Sequence, residues 1–361
     1  MDTLRIAVVG CSRRGANLAH RLSQSPDFEL AALCDIHAER LQELGASYDT
    51  ETVSDFSALV GREDIQAVAI ATPQDTHRDL TVEAFQHGKH VFCEKPLART
   101  VAQCDDMIAA AEGAGRTLIV GQQMRYHYFL QKIADLIQDD VIGKPIMLWL
   151  KEMRGPFRVS PEHMWIFDRE RSGGMLVEKS CHHFDLFNWY AGSRPVSVYA
   201  SGGQDVFHEL AGVRSSICDN AWVIVNYESG ARAVLGLGMF LGRSHPQEGG
   251  IGTHRRDIGV AGEKGMILQG GALPQDAVEI HSSQNRDVTR IQMDPKGTRP
   301  TPFNQHGEVG IFMDFAACIR EGRRPFASGD AGRLALAVSL AAEQSIDERR
   351  VVALSEICDI Q

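Results

Sequence analysis

The chain has 361 residues, more than a single hydrophobic core usually serves, so its length predicts two domains. With 37 basic and 47 acidic residues it carries a formal net charge of −10, which argues against nucleic acid or an anionic membrane as a partner. The N-terminus lacks a signal-peptide pattern and the eight scattered cysteines form no CxxC pair, so we expect a cytoplasmic protein with reduced thiols.

The first 120 residues alternate short apolar strands with helical segments. Strands are predicted at Leu4–Val9, Phe28–Cys34, Ala67–Ala71, His90–Cys93 and Thr117–Val120. Helices are predicted at Ala16–Gln24, Ala38–Leu44, Asp75–His87 and Thr100–Ala114. Strands that alternate with helices in this way indicate βαβ units and a doubly wound parallel sheet, the Rossmann type of α/β fold.

After Gly121 the pattern changes, and we expect domains at 1–121 and 122–361. A helix at Tyr128–Gln138 and a strand at Pro145–Met153 come first. Further strands are predicted at Val196–Gly202, Asn220–Tyr227, Arg232–Leu241, Arg256–Ala261, Met266–Gln269 and Ala277–His281, and closing helices at Glu308–Glu321 and Ala331–Asp347. Clustered strands with helices grouped elsewhere favour an α+β domain around a mostly antiparallel sheet.

A glycine-rich turn joins the first strand to the first helix, at Gly10-Cys-Ser-Arg-Arg-Gly15. The dinucleotide fingerprint is G-x-G-x-x-G, and Ser12 stands at its second glycine. The position of the turn is typical of a dinucleotide site, because a helix N-terminus offers free N–H groups to a pyrophosphate. The alternative is a tight βα turn in a protein that binds another ligand.

Charged residues around this turn indicate which dinucleotide would bind. Arg13 or Arg14 could add a contact to the pyrophosphate. Asp35 ends the second strand, where a carboxylate accepts hydrogen bonds from ribose hydroxyls and repels a 2′-phosphate. The sequence therefore favours NAD over NADP as cofactor.

Several motifs together resemble one family. They are ATPQDTH at 71–77, GKHVFCEKP at 88–96, VGQQMRY at 120–126, IGKP at 142–145 and GGMLVEKSCHHFD at 173–185. In this order and spacing they resemble the glucose–fructose oxidoreductase/inositol dehydrogenase family (Gfo/Idh/MocA), strongly over about residues 4–190. The resemblance implies a Rossmann domain followed by an α/β domain with a large open sheet, with a carbohydrate substrate over the nicotinamide. It also implies a homodimer or homotetramer.

The resemblance assigns roles to individual residues. Lys95 would contact both the reacting hydroxyl and the cofactor, aimed by Pro96, which in the family often follows a cis peptide. His182 would be the acid/base residue, and Glu178 stands where the family usually has aspartate. Thr72, Pro73, His77 and Glu94 would lie in the cofactor site, His77 more as a packed loop residue than as a catalyst.

These roles agree with the chemistry of alcohol oxidation. Hydride transfer from an alcohol carbon requires removal of the hydroxyl proton, and histidine titrates near neutral pH. A lysine beside the oxygen stabilises developing negative charge. A helix over Gly174–Ala191 would place Glu178 and His182 one turn apart, where the carboxylate can orient the imidazole. Asp185, near the same face, either shares that task or binds substrate.

The candidate substrate-binding residues, besides Lys95 and His182, are Arg125, Tyr126, Arg154, Arg158, Trp165, Lys179 and His183. Lys179 either meets the substrate or is solvated on the far face of the helix. Arg154, Arg158, Arg169 and Arg171 are either solvated or mark an anionic substrate, since arginine suits planar anions. We expect no metal site at Cys181, His182 and His183, because adjacent helical residues point in different directions.

Three functions fit these residues. The first is an NAD-dependent dehydrogenase or reductase acting on a secondary hydroxyl or ketone of a sugar, sugar derivative or polyol. The second is a redox-neutral glycosidase of the same family, in which NAD stays bound while a ring hydroxyl is oxidised, the aglycone eliminated, water added and the ketone reduced. The third is a regulator without activity, which loss of Lys95 or His182 would have favoured; both are present.

Overall fold

The computed structural model describes residues 3–157, 159–210, 212–241, 255–270, 277–283, 288–292 and 307–359. The chain divides into two compact units, Met1–His127 with Pro300–Arg333 and Tyr128–Arg299 with Leu334–Gln361. The contacts therefore divide the chain differently from the consecutive domains 1–121 and 122–361 predicted from the sequence, because a late helix packs on the first unit's sheet.

The first unit is built on a six-stranded parallel sheet in the order β3-β2-β1-β4-β5-β6. Its strands are β1 Leu4–Val9, β2 Phe28–Cys34, β3 Glu51–Val53, β4 Ala67–Ile70, β5 His90–Cys93 and β6 Leu118–Val120. Its helices are α1 Arg13–Ser23, α2 Ala38–Tyr48, α3 Phe56–Val60, α4 His77–Gln86, α5 Val101–Ala114 and α10 Glu308–Glu321, with 3-10 turns at Gln74–Thr76 and Gln123–Tyr126. The predicted doubly wound sheet is confirmed.

The order of the strands locates the ligand crevice of this unit. β1 pairs with β2 on one side and with β4 on the other, so the direction of winding reverses between β1 and β4. Open parallel sheets bind ligands outside the carboxyl ends of the strands at such a reversal. The turn after β1 and the loops after β4 and β5 lie at those ends.

Helix α10 joins the core of the first unit through its aromatic residues. The Phe28 ring lies 6.2 Å from the Phe312 ring and 5.8 Å from the Phe315 ring, and Phe92 lies 5.0 Å from Phe312. Burying a phenylalanine stabilises a fold by roughly 1.5–3 kcal/mol. These contacts attach the helix to the sheet although about 200 residues of chain separate it from β6.

The second unit contains a nine-stranded sheet in the order β16-β15-β14-β13-β7-β12-β11-β8-β17. Its strands are β7 Pro145–Met153, β8 Pro195–Gly203, β11 Asn220–Tyr227, β12 Arg232–Gly238, β13 Arg255–Gly262, β14 Gly265–Gly270, β15 Ala277–Ser282, β16 Val288–Gln292 and β17 Val352–Ala353, and a small hairpin pairs β9 Glu209–Leu210 with β10 Val213–Arg214. β7 and β12 are parallel, and the other neighbouring pairs are antiparallel. This confirms the predicted large, mostly antiparallel sheet.

The second unit also contains helices, and helical segments pack against the strands Pro145–Met153 and Ala277–Ser282 of its sheet. The helices are α6 Tyr128–Gln138, α7 Arg169–Ser172, α8 Met175–Glu178, α9 Cys181–Ala191 and α11 Gly329–Glu348, with a 3-10 segment at Pro161–Phe167; the part of α11 from Leu334 onward belongs to this unit. Side chains alternate along β7, so Leu148 and Leu150 are buried while Met147 and Lys151 are exposed. The exposed side is an open face of the sheet.

The single helix considered for Gly174–Ala191 is divided into α8 and α9. Lys179 and Ser180 between them keep right-handed helical backbone angles, with φ near −90° at both residues. The chain therefore keeps a helical course across the break, and residues four apart still lie about one turn apart. Among the described residues, no helix is long and apolar enough to cross a membrane.

Candidate functional site

The turn after β1 can be formed only by glycine at two positions. Gly10 has φ +90°, and a Cβ placed there would lie 2.9 Å from the carbonyl carbon of Ala71. A Cβ at Gly15 would lie 1.6 Å from the Gly10 carbonyl oxygen. These two glycines bring the start of α1 against the end of β1, which is the geometry that a helix N-terminus needs to meet a phosphate.

Ser12 is the N-cap residue of α1 and replaces the fingerprint's second glycine. Its carbonyl accepts a hydrogen bond from the Ala16 N–H at 2.8 Å, while its side chain makes no capping hydrogen bond. The first N–H groups of the helix therefore keep their capacity for a ligand. Arg13 follows in the first turn with an exposed side chain, a position compatible with the predicted phosphate contact.

Arg14 is engaged by carboxylates of its own unit. Its Nε lies 2.6 Å from Glu94 Oε1 and its Nη1 lies 2.8 Å from Glu308 Oε1, and Arg21 also pairs with Glu308. The structure therefore gives Arg14 a role in linking α1, α10 and the loop after β5. The pyrophosphate contact stays a prediction for both arginines; Arg13 is exposed, whereas Arg14 is already held by two carboxylates.

Asp35 is held in place by backbone amides. The carboxylate is buried at the end of β2, and it accepts hydrogen bonds from the Cys11 N–H at 2.6 Å and the His37 N–H at 2.8 Å. These contacts join the carboxylate to the glycine-rich turn, where the ribose next to a bound pyrophosphate would lie. Each carboxylate oxygen can accept a second hydrogen bond, so the capacity to bind ribose hydroxyls remains.

A buried histidine connects the loops after β4 and β5. His77 Nδ1 lies 3.0 Å from the Pro96 carbonyl oxygen, and Nε2 lies 3.0 Å from the Thr72 carbonyl oxygen. Burial lowers the pKa of His77 although both carbonyls favour the charged form. The side chain packs between the two loops, as expected of a packed residue, and the Thr72-Pro73 segment is thereby attached to the Lys95-Pro96 segment.

The Lys95–Pro96 peptide is cis, as the family motif predicts. Glu94 precedes it, is buried, and accepts a hydrogen bond from the Lys95 N–H at 3.1 Å while pairing with Arg14. Glu94 therefore acts on the backbone of Lys95. The Glu94 carboxylate binds Arg14 and this amide, which gives it a part in positioning the loop, and its predicted contact with the cofactor stays a prediction.

Tyr126 and Arg125 have structural contacts inside the first unit. Tyr126 is buried; its hydroxyl donates to Asp314 Oδ2 at 2.6 Å and accepts from the Ala327 N–H at 3.1 Å. Arg125 donates to the Phe326 carbonyl at 3.0 Å, and its guanidinium lies 5.1 Å from the centre of the Phe326 ring. These contacts favour a structural role, in which Arg125 and Tyr126 hold residues 314–327 in the first unit. They do not favour the substrate contact predicted for Tyr126.

Glu178 and His182 are both buried in the second unit. Glu178 ends α8 and His182 lies in the first turn of α9, four residues later, so the two lie about one turn apart as predicted. A buried carboxylate one turn from an imidazole can support its charged form. Lys95 belongs to the first unit, whereas Glu178 and His182 belong to the second.

The start of α8 is held by a glutamate from α11. Glu343 Oε1 accepts a hydrogen bond from the Leu176 N–H at 2.9 Å, and Oε2 lies 3.4 Å from Arg169 Nη2. Gly174 has φ +105°, and a Cβ there would lie 2.4 Å from Glu343 Oε1. Burial raises the pKa of Glu343 to about 7. This contact fixes the short helix that ends at Glu178.

A second buried carboxylate, Glu152, engages two of the predicted substrate residues. His183 Nε2 lies 2.8 Å from Glu152 Oε2, and Lys179 Nζ lies 3.1 Å from Oε1. Burial lowers the pKa of His183 although Glu152 opposes that shift. His183 is fully buried, so its position favours holding Glu152 and does not favour the predicted substrate contact. Lys179 is partly exposed and is not the far-face solvated residue of the alternative reading.

Further residues singled out in the sequence before the predicted catalytic helix are Arg169, Trp165 and Arg158. Arg169 binds Asp347 with two hydrogen bonds of 2.8 and 2.6 Å, so it is not available to an anionic substrate. Trp165 is half-buried in the 3-10 segment Pro161–Phe167. Arg158 lies outside the described residues. Within the described part of the chain, no three His, Cys, Asp or Glu side chains come together as a metal site.

The sequence did not reveal the carboxylates that hold the predicted site residues in place. Glu343 and Glu308 carry no local signal, because their partners are distant in the sequence. Glu152 could have been found, since it continues the buried alternation of Leu148 and Leu150 along β7. A carboxylate at a buried strand position requires a partner, and the nearby basic residues offer one.

Two family models match the chain. The one described as "Oxidoreductase family, NAD-binding Rossmann fold" (GFO_IDH_MocA) matches residues 4–122, and the one described as "Oxidoreductase family, C-terminal alpha/beta domain" (GFO_IDH_MocA_C) matches residues 134–354. Together they cover Lys95, Glu178 and His182, the residues predicted to take part in catalysis.

Individual relatives align along almost the whole length. Myo-inositol 2-dehydrogenase of Thermotoga maritima is 26% identical, with 98% of this chain and 99% of that protein covered. 2,7-Anhydro-N-acetylneuraminate hydratase of Mediterraneibacter gnavus is 29% identical over 99% and 98% of the two chains. A crystal structure of a probable dehydrogenase from Thermotoga maritima superposes with a TM-score of 0.79 at 26% identity, covering 98% of this chain and 100% of the other.

Proposed function

Since the chain belongs to the Gfo/Idh/MocA oxidoreductase family, we propose that it is an NAD-dependent enzyme acting on a secondary hydroxyl or ketone of a sugar, sugar derivative or polyol. The observation that carries the proposal is the retention of a complete set of reacting groups. Lys95 lies in its motif before a cis proline, and His182 lies one turn after the buried carboxylate of Glu178. The name of the inositol dehydrogenase relative supports a carbohydrate-like substrate.

The first unit would hold the cofactor at the turn after β1. The N-terminus of α1 would bind the pyrophosphate, with Arg13 beside it, and Asp35 would bind the ribose hydroxyls. An ionised Asp35 would repel a 2′-phosphate, which supports NAD over NADP. When bound, the nicotinamide supplies the acceptor or donor of a hydride.

The protein groups would manage the proton of the reacting alcohol. His182 accepts this proton as the carbon gives up its hydride, and Glu178 stabilises the imidazolium that forms. The Lys95 ammonium stabilises the negative charge that develops on the oxygen. In the reverse direction His182 returns the proton and the ketone becomes an alcohol.

A redox-neutral reaction is the second candidate, and the hydratase relative favours it. Oxidation of a ring hydroxyl would acidify the neighbouring C–H, the leaving group would be eliminated, water would add, and the hydride would return to the ketone. The same lysine, histidine and carboxylate would serve each step. This scheme includes glycosidase activity, also on anionic glycosides, and consumes no net NAD.

A substrate panel separates these functions. Sugars, glycosides, sugar acids and polyols are incubated with NAD or NADP, and NADH and released aglycone are measured separately. Stoichiometric NADH supports the dehydrogenase, whereas aglycone release without net NADH supports the redox-neutral enzyme. Lys95→Ala should lower turnover at least ~100-fold, while the exposed Lys264→Ala control keeps it. Full turnover by Lys95→Ala would contradict the proposed mechanism.

We further propose that the protein is a homodimer or homotetramer that pairs through the open face of the second unit's sheet. Tyr199, Ile224, Val234 and Trp149 form a cross-strand row on this face, and Trp222 beside it is 55% exposed. Apolar patches of this kind mark interfaces between proteins. Light scattering should give a dimer or tetramer mass that Trp222→Glu reduces; a monomeric wild type would contradict the proposal.

A further inference from the structure

The buried carboxylate of Glu152 in the second unit lies among side chains whose total positive charge exceeds its own negative charge. We call this group the Glu152 cluster: Glu152, Arg154, Lys179, His183 and Arg256. Lys179 Nζ lies 3.1 Å and Arg154 Nη1 3.8 Å from Glu152 Oε1, while His183 Nε2 lies 2.8 Å from Oε2. Arg256 is the cross-strand partner of Glu152, on β13 opposite β7.

The charges in this cluster do not cancel. His183 is fully buried, and burial lowers its pKa, so it is neutral near pH 7 and donates its Nε2–H to Glu152. Lysine and arginine carry full charges at this pH. Three cations therefore face one carboxylate, which leaves two positive charges in excess within the cluster.

The excess charge is on the accessible side. The side chain of Glu152 is 1% exposed, whereas those of Lys179 and Arg154 are 17% and 30% exposed. Arg154 is not needed to satisfy the carboxylate, because its 3.8 Å contact is longer than a hydrogen bond and Lys179 and His183 already bind both oxygens. An arginine that is ion-paired with a carboxylate at 3.8 Å but makes no hydrogen bond to it, next to a lysine, can bind an oxyanion.

The cluster is joined to the predicted reaction centre by the chain itself. Lys179 directly follows Glu178 and precedes His182 by three residues, which is one helical turn. This spacing is compatible with an anion at Lys179 and Arg154 that belongs to the molecule whose hydroxyl reacts at His182.

We propose that Arg154 and Lys179 bind an oxyanion substituent of the carbohydrate substrate, with Glu152 and His183 holding Lys179 in place. This inference rests on the proposed function and adds the class of substrate. Carboxylate, phosphate and sulfonate groups share the required chemistry, so the substrate is a sugar acid or an esterified or sulfonated sugar.

Binding to the NADH-saturated protein tests this proposal without turnover, since an alcohol cannot be oxidised there. Calorimetry compares glucuronate with glucose, gluconate with glucitol, and glucose 6-phosphate and 6-deoxy-6-sulfoglucose with glucose. At least one anion should bind ten-fold or more tightly than its neutral partner, and the member that does so identifies the oxyanion. Arg154→Gln and Lys179→Gln should each reduce that preference about ten-fold, whereas Arg194→Gln, which removes an exposed arginine of the same unit, should leave it unchanged.

The outcomes separate this proposal from the proposed function. Equal binding of anionic and neutral partners by the wild type would overturn the inference. A preference that survives in both variants would overturn it as well, and Arg154→Gln keeps the test valid if Lys179→Gln fails to fold. Failure of the proposed function would appear instead in the separate turnover assay, as no hydride transfer and no aglycone release with any compound.

Discussion

Replacement of Glu343 by glutamine should change how the second unit's stability depends on pH. Glu343 is buried in α11, accepts the Leu176 N–H and lies 3.4 Å from Arg169. Burial raises its pKa from the ordinary 4.5 to about 7, against the effect of the amide and the arginine. The folded protein therefore binds a proton at this site that the unfolded chain has already lost at pH 5–7.

The sign and size of the change in unfolding free energy with pH follow from that difference in proton binding. A group whose pKa is raised on folding contributes stability that is fully present below the unfolded value, near 4.5, and is lost as the pH rises through about 7. The interval between these values, at about 1.4 kcal/mol for each pH unit, corresponds to about 3 kcal/mol. Glutamine cannot ionise, so the Glu343→Gln variant does not lose this stability as the pH rises.

Urea denaturation followed by tryptophan fluorescence measures the effect. The four tryptophans, Trp149, Trp165, Trp189 and Trp222, all belong to the second unit, so the signal reports on the unit that contains Glu343. Between pH 4.5 and 8 the unfolding free energy of the wild type should fall by about 3 kcal/mol relative to Glu343→Gln.

A control and a refuting result complete this test. Glu348→Gln removes an exposed carboxylate from the same helix and should follow the wild type at each pH. If the wild type and Glu343→Gln have parallel profiles, Glu343 stays ionised in the folded protein. The contact with Arg169 would then outweigh burial, and the reasoning would be wrong.

Three further substitutions test other parts of the account. Asp35→Ala should lower the ratio of kcat/KM with NAD to that with NADP about ten-fold or more, since it removes both the ribose acceptor and the repulsion of a 2′-phosphate; an unchanged ratio would refute the role of Asp35. Tyr126→Phe leaves the buried Asp314 without its 2.6 Å hydrogen bond and should destabilise the first unit by roughly 1–3 kcal/mol in a hydrogen-exchange measurement; a change within error would show that the bond contributes nothing. Gly15→Ala should abolish detectable NAD binding in calorimetry, because its Cβ would meet the Gly10 carbonyl oxygen at 1.6 Å; wild-type affinity would mean that the turn is not the cofactor site.

The elements of the parallel sheet could be predicted from sequence because their signal is local. Strands buried on both faces form continuous apolar runs, and β1, β2 and β5 have the predicted bounds. β3 and α3 were missed, since Glu51–Val53 is short and polar and Phe56–Val60 is too short to show a helical period. Helix α10 was predicted as a helix, but its place on the first unit depends on contacts that no local pattern records.

Residues of the candidate site could be predicted where a sequence motif marks them. They could not be predicted where only packing contacts determine their position. Lys95, Glu178 and His182 followed from motifs, and the cis bond before Pro96 agrees. His183 is predicted to bind substrate as an extra polar residue of this helix, whereas in the structure its Nε2 lies 2.8 Å from Glu152 Oε2.

The central claim is that Lys95 and His182 act on the same oxygen during hydride transfer. A double-mutant cycle on the pre-steady-state rate of NADH formation tests it, with Lys95→Met, His182→Asn and the double variant. Each single substitution should slow the step about 100- to 10,000-fold, and the double variant should be little slower than the slower single one. Losses that multiply in the double variant would show two independent roles and contradict the account.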